Sequence, residues 1–157
     1  MKSLTALKAA VLCMAVFIGC FAIVQRAEAV PKTEKPRSII TSDGEIDDEC
    51  SIVRFLLYAN EWDIEAIVTS SSQYHWQGHK WAGDDWIDPY LDAYKEVYPN
   101  LIKHDPDFPT PGYLRHVTRM GNVSAEGEMD MVTPGSQLIV DVLLDDTDPR
   151  QIGRAHV

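Results

Sequence analysis

Arg37-Ser38-Ile39-Ile40-Thr41-Ser42-Asp43-Gly44-Glu45-Ile46-Asp47-Asp48-Glu49 changes character within thirteen residues. Its first half is short, apolar and partly β-branched, which predicts a buried strand over Arg37–Ser42. Its second half places five carboxylates, Asp43, Glu45, Asp47, Asp48 and Glu49, within seven residues. Ligand sites of open α/β sheets lie at the carboxyl ends of strands, so the acidic loop is where chemistry is expected.

Downstream, Ile52, Val53, Leu56 and Leu57 recur at helical spacing and predict an amphipathic helix over 47–59. Asp63-Ile64-Glu65-Ala66-Ile67-Val68-Thr69-Ser70 then reads as a second strand. Strand, helix and strand over this span form a βαβ unit, whose two strands run parallel. The fold class is therefore α/β: a Rossmann-like parallel sheet with flanking helices. Ile87, Tyr90, Leu91, Tyr94 and Val97 predict a further helix that ends before Pro99. Residues 113–118 predict a short helix, and Ser136 an N-cap for a last one through Leu144.

Crowded carboxylates at one strand end repel each other and resist ionisation unless a cation or helix amides compensate them. A hard divalent ion does this economically. Calcium accepts six to eight oxygens in flexible geometry, whereas magnesium demands a stricter octahedron. The competing reading is a solvated acidic turn in which Asp47 and Asp48 cap the helix. Spacing alone leaves the two open, and the loop does not follow the EF-hand ligand pattern.

Ser42-Asp43-Gly44-Glu45-Ile46-Asp47-Asp48, between strand and helix, resembles the D-x-D-P-G-x-D-D signature of nucleoside hydrolases. The leader, the tryptophan-rich stretch after the second strand and Thr133-Pro134-Gly135-Ser136-Gln137-Leu138-Ile139 are similar to the cellulose-binding, nucleoside-hydrolase-like family of exported bacterial proteins. The resemblance runs from about residue 37 to 150. It implies that Asp43 binds calcium and serves as the base toward the attacking water, that Asp48 is a calcium ligand, and that Asp47 contacts sugar hydroxyls. The implied reaction is hydrolysis of an N-glycosidic or related glycosidic bond. Calcium would orient the sugar diol and lower the pKa of a bound water, whose proton passes to Asp43. The chain departs from the signature at Thr41, where the family has Asp, and at Gly44-Glu45, where it has Pro-Gly. Ser71, Ser72 and Gln73 stand where nucleoside hydrolases place a sugar-binding Asn.

Trp76, Trp81 and Trp86 recur every five residues. They are read either as packing for a long insertion or as flat faces for sugar rings, with Trp76 and Trp81 the candidates for substrate. His75, His79, His104 and His116 offer no identifiable leaving-group acid.

At the amino terminus, Lys2 and Lys8 precede an apolar run over 9–24 that Ala27-Glu28-Ala29 closes, which predicts a signal peptide over 1–29 and a secreted or periplasmic protein. Ile18-Gly19-Cys20 is an alternative lipoprotein site, so any membrane association comes through the leader. Residues 30–37 read as a linker, and 38–150 as the amino-terminal part of the domain. The formal charge is −10, and removing Lys2, Lys8, Arg26 and Glu28, net +2, leaves −12. That surface argues against nucleic-acid polymers and for a small-molecule nucleoside or carbohydrate partner. Of the three cysteines, Cys50 lies past the leader, where it is expected to be buried filler. Ile152-Gly153-Arg154-Ala155-His156-Val157 is what ATC GGA AGA GCA CAC GTC encodes, a string resembling a sequencing-library adapter read in frame. Residues 151–157 are therefore set aside, and the sheet is expected to be truncated after its first βαβ unit and following helices.

Two classes remain: a calcium-dependent hydrolase, and a non-catalytic cellulose-binding protein on a hydrolase scaffold.

Overall fold

The computed structural model describes residues 34–72, 75, 85–123 and 131–157. Lys35–Val157 form one compact unit. The leader with Cys13 and Cys20, and Tyr74, Trp76, His79 and Trp81, lie outside the described residues. Among the described residues no helix is long and apolar enough to cross a membrane.

The elements run β1 (Arg37–Ser42), α1 (Ile46–Leu57), a single 3-10 turn, β2 (Asp63–Thr69), α2 (Asp88–His104), α3 (Pro111–Val117), β3 (Thr118–Met120), α4 (Pro134–Leu143) and β4 (Ile152–His156). The four strands form one sheet in the order β3-β2-β1-β4, and each neighbouring pair is parallel. The sheet thus has four strands where the sequence reading counted two. β4, set aside above, pairs with β1 from Arg37↔Ile152 to Thr41↔His156. Arg37, where the predicted linker and strand overlap, is the first residue of β1 and is buried. Its guanidinium donates to Glu65 at 2.6 Å and to the Asp148 carbonyl at 3.0 Å, which holds the segment entering β4 against the start of β1.

Both faces of the sheet are covered, so strand residues alternate between two cores instead of between core and water. One core joins Ile40, Ile64 and Ile67 to Ile52 and Leu56 of α1, Leu91 and Tyr94 of α2, and Leu114 of α3. The other joins Ile39, Ala66 and Val68 to Leu138, Ile139 and Val142 of α4. Ile64 and Ala66 are two apart yet face opposite cores. The register explains this: Ser38 pairs with Ile64 but Ile39 with Ala66, so β2 carries one extra residue, Glu65.

Several local expectations change. α2 passes through Pro99 to His104 because Tyr98 and Leu101 pack against the core, and the Asp105 amide still reaches the Leu101 carbonyl at 3.1 Å. The cap of α4 is Thr133, with Pro134 at the first helical position; Ser136 answers from the third, accepting from the Thr133 amide at 2.9 Å while its own amide donates to Thr133 Oγ1 at 3.1 Å. Cys50 is exposed. Val53 and Leu57, read as core, instead line an open apolar groove with Tyr90 and Val97. Trp86 is buried against Tyr90 and is a packing residue.

Candidate functional site

The strands β1 and β2 end side by side, with the Ser70 amide donating to the Ser42 carbonyl at 2.8 Å. Asp43 follows β1 directly, and Gly44, at φ 76°, turns the chain into α1 without the Cβ clash an L side chain would meet. Glu45 occupies the N-cap position but makes no side-chain cap. Asp47 and Asp48 do not cap the helix either. Asp48, in the first turn, reaches back past the cap: its Oδ1 accepts from Ser42 Oγ at 2.9 Å and from the Asp43 amide at 3.1 Å. Asp43 and Asp48 are both buried, at 5% and 6% exposure.

Burial raises the Asp43 pKa above its ordinary value, the neighbouring Asp48 raises it further, and the Glu45 amide, 3.4 Å from Oδ1, pulls it down in part. The site as built disfavours a second negative charge, a cost that an added cation would relieve. The residues fit a hard ion: two buried carboxylates beside a buried serine hydroxyl offer oxygen donors. Asp43, Asp48 and His156 bring one ligand atom each within 4.8 Å of one another, and so do Asp43, Glu45 and His75. Asp43 belongs to both groups. The nitrogen ligands His75 and His156 suit calcium less well than the carboxylates do.

Glu45 and Ser72 both sit where the chain departs from the hydrolase signature, and they meet: Ser72 Oγ donates to Glu45 Oε1 at 2.5 Å. The Ser72 amide donates to His75 Nδ1 at 3.2 Å. The loop after β2 is thereby fastened to the acidic loop after β1. Ser71 Oγ is buried without a hydrogen-bond partner among the described residues.

A cavity of about 470 Å³ opens at these strand ends, lined by Asp43, Ser71, Ser72, Asn122, Ser136 and His156 among others. Its size falls within the roughly 300 to 1,000 Å³ of small-molecule sites. Asn122, Ser136 and His156 carry no signal in the sequence that marks them as site residues. α4 and the loop before it come close because Gly121 and Gly135 lack side chains; a Cβ on Gly135 would lie 2.7 Å from Val68 Cγ1 and 2.9 Å from the Gly121 nitrogen.

Of the residues read as functional, Asp43 and Asp48 are brought together. Asp47 is exposed on the first turn of α1 and belongs to neither ligand group found among the described residues. Trp76 and Trp81 lie outside the described residues.

Residues 37–153 match the family model described as the cellulose-binding Sde182, nucleoside hydrolase-like domain. Among solved structures, a nucleoside hydrolase-related hypothetical protein from Saccharophagus degradans, associated with carbohydrate metabolism, superposes with a TM-score of 0.65 at 35% identity. The match covers 77% of this chain and 30% of that one. No curated protein matches the chain.

Proposed function

The chain belongs to the cellulose-binding, nucleoside-hydrolase-like family, and we propose that it carries the acidic end of a calcium-dependent hydrolase acting on N-glycosidic or related glycosidic bonds. The observation that carries this reading is the burial of Asp43 beside Asp48 at the end of β1, with the Asp43 carboxyl pushed toward its neutral form until a cation balances it.

In this reading Asp43 and Asp48 hold the ion. Calcium, when bound, would supply charge compensation and polarise the water and the sugar hydroxyls. Asp43 accepts the proton of the attacking water. The acidic cluster stabilises the positive charge that develops on the sugar ring as the glycosidic bond lengthens. Asp47, exposed beside the ion-holding pair, is available to the sugar hydroxyls. Ser71, whose buried hydroxyl has no partner among the described residues, offers a hydrogen bond where nucleoside hydrolases use Asn. The protein acts outside the cytoplasm, after removal of the leader.

The test is hydrolysis of a panel of nucleosides and aryl glycosides. Activity that disappears with chelator and in Asp43→Ala supports the reading; hydrolysis indifferent to both sinks it.

A second reading is favoured by the family's own description as cellulose-binding and by the neighbour's association with carbohydrate metabolism. Here the scaffold binds polysaccharide, with Trp76 and Trp81 as stacking candidates, and binding survives chelation.

A further inference from the structure

At the other pole of the sheet, where β1 and β2 begin, lies a second open cleft of about 340 Å³, lined by Lys35, Trp62, Asp63, Asp107, Tyr113 and Arg150 among others. Ser42 and Arg37 are opposite ends of one strand, so this cleft sits roughly 17 Å from the acidic loop at about 3.3 Å per residue. It shares no lining residue with the Asp43 cavity.

Its chemistry has two parts. The first is aromatic surface. Trp62 is 38% exposed, and Tyr113 is 41% exposed although its hydroxyl is committed, donating to the Ile64 carbonyl at 2.7 Å. That bond fixes the tyrosine while leaving ring surface to solvent, and a large aromatic left half-exposed beside a cleft gains by being covered. The second part is a set of charges already balanced among themselves. Arg150 pairs with Asp63 at 2.6 Å and Lys35 with Asp107 at 3.6 Å; the cleft's remaining acid, Glu65, is held by Arg37 at 2.6 Å. Each carboxylate has its cation, so nothing is left over to attract an ionic ligand. The groups still offer spare hydrogen-bonding capacity, because a carboxylate has about four acceptor sites and an ammonium three donors.

A ligand suited to both parts is neutral, rich in hydroxyls and flat enough on one side to cover an aromatic ring. Pyranose rings with equatorial hydroxyls have that character, presenting axial C–H groups to the ring and hydroxyls to the edge. We propose that the Trp62 cleft is a carbohydrate-binding subsite that takes a short stretch of a neutral β-linked glucan, independent of the Asp43 site. The proposal rests on the carbohydrate-binding reading above and gives it a location on residues that carried no such assignment.

The experiment titrates the full chain with cellopentaose in calorimetry, with calcium binding as a separate readout on each variant. Trp62→Ala is expected to lower the association constant at least tenfold and Trp62→Phe to lower it much less. Calcium binding retained by Trp62→Ala shows that the variant is folded. Should Trp62→Ala not fold, the Trp62 indole N–H resonance, assigned by its loss in Trp62→Phe, supplies the answer: it shifts on titration if the cleft is the site. Cellopentaose binding that leaves this resonance unmoved, or that Trp62→Ala does not weaken, overturns the location while the carbohydrate reading stands. A wild-type chain that binds no cellopentaose overturns both, and leaves hydrolysis at Asp43 to be judged by its own assay.

Discussion

The backbone amide of Asp43 donates to Oδ1 of Asp48 at 3.1 Å, the same oxygen that accepts from Ser42 Oγ at 2.9 Å. One carboxylate oxygen therefore organises the end of β1 as well as contributing charge to the site. The two roles separate by substitution. Asp48→Asn keeps an oxygen for both donors and is expected to melt close to wild type while losing at least tenfold in calcium affinity. Asp48→Ala strands two buried donors and should cost about 2–3 kcal/mol of stability in addition. Denaturant titration and calorimetry on the pair check this, and equal stability of the two variants contradicts it.

Asp43 is raised in pKa by burial first and by Asp48 second, so the ion-free protein carries an unfavourable charge there at neutral pH. If calcium binds as proposed, a hundredfold excess over its dissociation constant should contribute about 2.7 kcal/mol and raise the melting temperature of a domain of this size by about 5 °C or more. Asp43→Asn should raise the melting temperature in chelator, by removing the repulsion, and should abolish the calcium-dependent rise. Thermal melts of both proteins with and without calcium decide it.

The Asp148 carboxyl is held at about 2, below its ordinary 3.8, chiefly by hydrogen bonds from the Arg150 guanidinium and then from its amide. The folded state therefore binds this proton more weakly than the unfolded state does. Its contribution is complete above the ordinary value and is lost as pH falls from about 3.8 through about 2. Asp148→Asn should flatten that acid limb and lower the melting temperature near neutrality, where the wild-type contribution is complete. Melting temperatures at several pH values between about 2 and 6 measure it.

Gly135 sits in the first turn of α4 where a Cβ would lie 2.9 Å from both the Gly121 nitrogen and the Met120 carbonyl oxygen. These neighbours are backbone and have little room to give. Gly135→Ala is expected to destabilise by about 1–3 kcal/mol despite the better helix propensity of alanine. A chemical denaturation midpoint equal to wild type counts against this account.

β1, α1 and β2 were legible because each has one strong local period and because a parallel strand buried on both faces reads as a continuous apolar run. The pairing of Asp43 with Asp48 was legible too, since a strand end and the first turn after it are adjacent in any βαβ unit. β3 was not, for Thr118-Arg119-Met120 is too short to show a period and owes its pairing to β2 alongside it. β4 was set aside because residues 152–157 resemble an adapter read in frame; its partner is β1, more than a hundred residues earlier. The helix end at Pro99 was misjudged because tertiary packing of Tyr98 and Leu101 outweighs one missing amide. His156, Ser136 and Asn122 reach the cavity from three separate segments, a convergence that only the folded chain brings about.

The extra residue at Glu65 acts as a phase shifter. Because of it Ile64 and Ile67 share one layer although three positions separate them; deleting that single position would leave them two apart, still in that layer, and would remove the anion that clamps Arg37. A graft of the start of β2 from a strand lacking the insertion therefore keeps the alternation and loses the clamp. A transplant that is to hold Arg37 has to carry Glu65 together with its bulge.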